Sequence, residues 1–330
     1  MARTTKTTDL RRQLELHGLD GTRRQLTAGA GTAAERSRIT RLVETAHDLL
    51  AEPPSPDDLA FLYSGLCQTA LPHKALPHPH DVWERRAGRF SLTVVPGVIG
   101  GQYVGVPYGS RARLIMIFLQ SEGMRSPTVA LGKNLSSFLR SLGLHVSGGP
   151  RGNIKAVREQ ARRIAQCRFT MEWTETASDG EHTYVRNTAI ADGLALWAAG
   201  TGEWSDTVEL SAQFHALLRE HAVPLDKRAV ARLAGNSLGL DLYALLAYRL
   251  PRLRRDLHLS WSALQQQIGT DYAQGRDLAR RVRAVLPDVL FGYPHAKIEM
   301  TSTGLLLKSS RPVIPRDLVA GFRLVEGGHG

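Results

Sequence analysis

Gln274–Leu286 reads QGRDLARRVRAVL, and Asn153–Ala165 reads NIKAVREQARRIA. At about 100° per residue, with Arg276 at zero, Arg280 falls near 40° and Arg283 near 340°, while Leu278, Val282 and Val285 gather near 200°. The other stretch divides in the same way. Lys155, Arg158 and Arg162 share one face, and Ile154, Val157, Ala161 and Ile164 share the other. Each is expected to be a helix that buries an aliphatic stripe and turns basic side chains outward.

The flanking sequence repeats an order. In the first half, RARLIMIFLQSE (111–122) is apolar nearly all round and reads as a central helix. TVALG (128–132) follows as a short strand and Leu135–Leu144 as a helix. Next come the basic helix, over Ile154–Cys167, and a hairpin turning at Ser178–Gly180. In the second half, Ser237–Leu250 places Leu238, Leu242, Leu245 and Leu246 on one face. LHLS (257–260) is a strand, Ser262–Ile268 a helix, and Gln274–Leu286 the basic helix, stopped by Pro287. A hairpin over 296–310 turns at Ser302–Gly304. This is the order of a winged helix, a helix-turn-helix followed by a two-stranded wing. The expected fold is therefore α+β, with tandem winged-helix domains.

Outside the repeat, Phe61–Ala70 reads as a helix, Phe90–Val98 as a strand, Leu210–His221 as a helix, and VPLD (223–226) as a helix stop and start. Residues 1–52 are polar and basic with patchy helical pattern, strongest over Arg36–Leu50, and AEPPSPDD is a linker. The expected organisation is a basic N-terminal arm and linker (1–59), a first winged-helix domain (60–200), a second (201–315), and a tail (316–330). AGTGEWSD (199–206) marks the junction.

Composition limits the function. The chain has 330 residues, a formal net charge of +11 and two cysteines. That length accommodates two modest cores, and two cysteines make no disulfide framework. No apolar run approaches a bilayer span, and the first residues have no apolar signal core. A cytoplasmic protein with a polyanionic partner is expected.

In the recognition slot of a winged helix, arginines can bind phosphates or read guanine in the major groove. The candidate DNA-binding residues are Arg151, Lys155, Arg158 and Arg162 in the first half, and Arg276, Arg280 and Arg283 in the second. Arg254 and Arg255, in a cluster with Arg249 and Arg252, and Lys308 and Arg311 at the end of the last hairpin, are candidate phosphate contacts. Glu159 and Gln160 are candidates for discriminating bases.

Signals for catalysis are weak. No phosphate-binding glycine motif is present: Gly132-Lys133 is followed by Asn134, and the glycines at 97–109 have the wrong spacing. His73, His78 and His80 with Cys67 match no zinc spacing. His78-Pro79-His80 is a poor fit to the His-hydrophobic-His of nicking enzymes, because proline does not suit a central strand. No enzyme activity, cofactor or metal is expected.

Several runs together resemble the RepA-type plasmid replication initiators. They are FLYSGLCQTALPHKALP (61–77), GVPYGSRARLIMIFLQSE (105–122), GLHVSGGPRGNIKAVREQARRIAQC (143–167), VPLDKRAVARLAGNSLGLDLYALLAYRL (223–250), WSALQQQIG (261–269) and YPHAKIEMTSTGLLLKSSRPVIP (293–315). The resemblance spans about residues 60–315. It implies a non-enzymatic protein that binds repeated sites in double-stranded origin DNA, helps open an adjacent A·T-rich region and recruits host replication proteins. It also implies a homodimer in exchange with monomer, with the first winged-helix domain contributing to the dimer. Leu278 stands where the family leads one to expect an aromatic; the position faces the core, so packing rather than contact is affected. The competing readings are a transcriptional repressor of the same fold and a strand-nicking initiator.

Overall fold

Five consecutive buried residues, Leu59–Tyr63, form a strand that pairs antiparallel with Ala222–Asp226, far along the chain. This pairing joins the two halves. The structure, a computed structural model, describes residues 10–149, 152–178, 180–191, 206–269 and 275–327. In chain order the elements are α1 (Leu10–Thr27), α2 (Ala33–Ala51), β1 (Leu59–Tyr63), α3 (Ser64–Gln68), β2 (Trp83–Ala87), β3 (Phe90–Val95), β4 (Val98–Ile99), β5 (Gln102–Tyr103), α4 (Gly109–Gly123), β6 (Thr128–Ala130), α5 (Leu135–Ser141), α6 (Asn153–Gln166), β7 (Arg168–Ala177) and β8 (Gly180–Thr188). They continue with β9 (Thr207–Glu209), α7 (Ala212–His221), β10 (Ala222–Asp226), α8 (Lys227–Leu233), α9 (Ser237–Arg249), β11 (Leu257–Ser260), α10 (Trp261–Gln267), α11 (Gly275–Gly292), β12 (Lys297–Met300), β13 (Gly304–Lys308) and α12 (Arg316–Gly327). The fold mixes helix and sheet.

The internal repeat is deeper than the sequence suggested. The run β1–α3–α4–β6–α5–α6–β7–β8 is matched by β10–α8–α9–β11–α10–α11–β12–β13. Two short elements differ from expectation. Phe61–Ala70 is not one helix, because its start is β1, and VPLD lies in β10. Both strands are buried on both faces, so they lack the alternation that marks a half-buried strand.

The sheets of the halves also differ. In the second half, β11 pairs with β13 of its own hairpin, giving the order β11-β13-β12. In the first half, β6 pairs instead with β9, and the β7–β8 hairpin extends a sheet of order β2-β3-β7-β8. The first hairpin is therefore embedded along β7 and open only along β8, whose residues 180–187 are exposed.

The helix read as ending at Pro287 runs on to Gly292 as α11. Proline removes the amide that would bond the Arg283 carbonyl, but Pro287 lies on the exposed face. Val282, Val285, Leu286, Val289 and Phe291 are buried and hold both sides of it to the core. The N-terminal segment holds two helices, kinked at Gly18 within α1, rather than one. Leu14, Leu42, Val43 and Ala46 bury themselves against Phe291, so the hairpin of α1 and α2 docks on the end of α11. At the other terminus, the Phe322 ring of α12 lies 5.2 Å from that of Phe61 in β1, tilted by 38°. Of the expected junction at 199–206, residues 199–205 lie outside the described residues.

One core runs from Leu59 to Ile314. The helix read as central, α4, is buried nearly all round, and so is α9, which was read as one-faced: ten consecutive residues from Leu238 to Ala247 are buried. Where α4 meets α9, Arg113 meets Asp241. The Nε donates to Oδ1 at 2.6 Å and one terminal nitrogen to Oδ2 at 2.7 Å. The remaining guanidinium hydrogens reach the carbonyls of Leu71, Pro72 and Gly109. All five donors are thus used. His73 completes the group, with Nε2 at 2.8 Å from Asp241 Oδ2. Of the three histidines considered for metal binding, His73 is therefore hydrogen-bonded to the Arg113–Asp241 pair between the halves. Among the described residues no three metal-ligating side chains gather.

Candidate nucleic-acid interface

The two basic helices are built as the periodicity predicted. In α6, Val157, Ala161 and Ile164 are buried while Lys155, Arg158 and Arg162 are exposed. In α11, Leu278, Val282 and Val285 are buried while Arg276, Arg280 and Arg283 are exposed. Arg281, which the sequence analysis did not single out, is exposed as well. Leu278 is fully buried, in agreement with its assignment to packing. Arg280 lies 3.1 Å from Asp277 but remains 74% exposed, so water or phosphate can compete for it. Arg151 lies outside the described residues.

Gln160 does not face outward, and Glu159, part-exposed, is turned along the helix toward its neighbours. Gln160 is buried and its Oε1 accepts the Tyr108 amide at 2.7 Å. Glu159 accepts from Arg163 at 2.8 Å and lies 3.4 Å from the Tyr108 hydroxyl. The proposed role of Gln160 in base discrimination is therefore corrected, and both residues fasten the loop before α4 to α6. A buried loop amide needs an acceptor, and Gln160 supplies it. Arg163, which sequence reasoning passed over, works alongside them. It donates to the Val106 carbonyl at 3.0 Å and lies over the Tyr108 ring at 4.9 Å. Arg111 reaches across from α4 to the Asn153 side chain at 2.8 Å, fixing the start of α6.

The arginine cluster at 249–255 divides. Arg249 is half-buried and donates to Gln267 Oε1 at 2.8 Å; burial pulls its pKa below the usual value. Arg252 lies over the Tyr248 ring at 4.5 Å and donates to the Tyr248 carbonyl. Arg254 and Arg255 are exposed in the turn before β11. On the last hairpin, Lys308 donates to Glu299 at 2.6 Å, a bond that raises its pKa. The Arg311 carbonyl accepts from the Tyr293 hydroxyl at 2.7 Å, and the residue is exposed.

The two hairpins carry different charge. Residues 168–188 hold Arg168 and Arg186 against Glu172, Glu175, Asp179 and Glu181, whereas residues 297–308 hold Lys297 and Lys308 against Glu299. Phosphates would be repelled by the first and attracted by the second. No helix among the described residues is long and apolar enough to cross a membrane.

No curated protein and no solved structure matches the chain. The family described as plasmid encoded RepA protein does match, over residues 106–263. That segment holds α4, α6 and its anchoring loop, the seam with α9, and the start of α10. Two of the sequence runs, 143–167 and 223–250, lie wholly inside the matched segment, which covers just under half of the chain.

Proposed function

We propose that the protein initiates plasmid replication by binding repeated sites in origin DNA through two winged-helix units. The observation that carries this reading is the repeated element order with an exposed basic face on the same helix of each copy, α6 and α11. The second unit is the fuller one: α10 and α11 form its helix-turn-helix, and β12–β13 its wing, backed by β11. In the first unit the acidic hairpin stays clear of phosphate, so α6 carries the contact. Arg254, Arg255 and Arg311 are proposed backbone contacts. Lys308 joins them if phosphate displaces Glu299.

The RepA match supports initiation over repression, because fold alone does not separate the two. The same family reading extends the proposal to a cytoplasmic protein that exchanges between monomer and homodimer, recruits host replication proteins and acts by binding rather than by cutting a strand. Footprinting on the DNA that flanks its own gene tests the proposal. Regularly repeated protected sites are the expected result, and one isolated site points to a repressor. A sealed supercoiled plasmid incubated with the protein and Mg²⁺ is expected to remain sealed; nicked product would point to the enzyme reading.

Arg280→Ala separates base reading from phosphate contact. A bidentate guanine contact accounts for about 1–3 kcal/mol and its loss relaxes specificity at one base pair. Loss of a phosphate contact weakens all sequences about equally and flattens the salt dependence. Titrations on the protected repeat and on random DNA, each across a salt series, distinguish them. Unchanged binding to both would remove α11 from the interface.

A further inference from the structure

The first half contains a segment that the second lacks. Residues 69–108 lie between α3 and α4, whereas only residues 234–236 lie between α8 and α9. Five of the large apolar side chains left exposed fall in that segment: Val82, Val95, Val98, Ile99 and Tyr103. Three of them are on the β4–β5 hairpin. Its turn, Gly100-Gly101, has φ of 56° and 78°, the left-handed pair of a tight two-residue hairpin. Val98 lies opposite Tyr103, which is 51% exposed, and the His80 ring lies 6.1 Å from the Tyr103 ring.

The hairpin is fastened to α6. A Cβ on Gly97 would lie 2.1 Å from the Gln166 carbonyl oxygen, so only glycine permits this approach. The Val104 amide donates to the Gly97 carbonyl, closing the hairpin's base, and the Cys167 thiol donates to the Gly105 carbonyl. Around the axis of α6, Gln166 lies within about 40° of Arg162. The hairpin therefore leaves the helix beside its basic face. Along the chain no acidic residue lies between Glu84 and Glu122; of the arginines in that interval, Arg86 pairs with Glu84 and Arg89 with Glu181, so the charge offered to DNA here is that of the basic face of α6.

We propose that the β4–β5 hairpin is an apolar wedge against DNA. With α6 seated on a duplex, Val98 and Tyr103, which share one face of the hairpin, press on the base pairs beside it and unstack one step, most readily a flexible A·T-rich one. Apolar wedges kink duplexes in this way, and pyrimidine–purine steps yield most easily. The inference rests on the DNA-binding reading of α6.

The test uses the full-length protein and footprinted duplexes carrying 2-aminopurine at successive positions. The parent protein is expected to raise fluorescence at one step beside the α6 contact. Val98→Ser/Tyr103→Ser is expected to abolish that rise and weaken binding on the order of tenfold, the scale of one aromatic–base stack. Because both side chains are exposed, thermal unfolding should not change. If the variant keeps both the rise and the affinity, or loses only self-association, the wedge is wrong. A parent-like Lys155→Ala/Arg158→Ala/Arg162→Ala variant would instead overturn the reading of α6. A second measurement does not rely on loss of function. Cys67 and Cys167 are buried, and burial raises both thiols, Cys167 to about 12, so Val98→Cys supplies the accessible thiol. Iron–EDTA attached there should cut the duplex at the unstacked step; a bound duplex left uncut would overturn the proposal.

Discussion

Arg113→Ala is expected to lower the unfolding free energy by about 3–5 kcal/mol, measured by urea denaturation. The loss comes mainly from what remains behind. Asp241 would keep a buried charge with His73 as its surviving partner, and the carbonyls of Leu71, Pro72 and Gly109 would lose their donors. Arg113→Met/Asp241→Leu removes both charges and fills the space. It should be less destabilised than the sum of the two single changes, because an apolar pair avoids the stranded charge. The pair also sets an acid limit. Burial alone would raise the Asp241 pKa, but the Arg113 charge and the hydrogen bonds from His73 and Arg113 outweigh it and hold the carboxyl below its ordinary 3.8. A carboxyl depressed on folding contributes stability above its unfolded pKa and loses it as pH falls through the folded value. The parent should therefore weaken steeply below about pH 4, and the double variant less so. A change of under about 1 kcal/mol in Arg113→Ala, the size of an exposed pair, would show that the seam does not depend on this group.

This seam was not legible in the sequence, and the reason is physical. Arg113 sits within an apolar helix, where an arginine reads as a solvent-reaching exception, and its partner is 128 residues away. The strands β1 and β10 were hidden for a related reason: each is five residues long and buried on both sides, so neither carries a period. What periodicity could show, it showed. The apolar stripes of α6 and α11 are long, and both faces came out as the wheel placed them. The hairpins at 178–180 and 302–304 follow from turn residues between alternating runs. Pro287 misled because a proline's effect depends on which face of the helix it occupies. Gln160 misled because an amide beside arginines looks available until the loop amide it binds is known.

The expected affinity for DNA follows from the faces that were legible. If Lys155, Arg158, Arg162, Arg276, Arg280 and Arg283 each neutralise one phosphate, log K should fall against log salt with a slope of about −5, at −0.9 per contact. Between 50 and 200 mM salt that is a loss of roughly 10³-fold. Converting the three α11 arginines to alanine should remove about half of the slope, and converting the α6 triplet about the other half. Asp277 makes the two halves unequal in strength. Its carboxylate must release Arg280 and then lie near phosphate, so Asp277→Asn is expected to tighten binding to every sequence. No equivalent change exists on α6, whose only acid, Glu159, is turned toward Arg163 and Tyr108. Fluorescence titrations of the parent and the three variants across a salt series check all of this. A parent slope near zero would exclude both basic faces from the interface. A slope halved by one triplet and untouched by the other would assign the contact to a single unit.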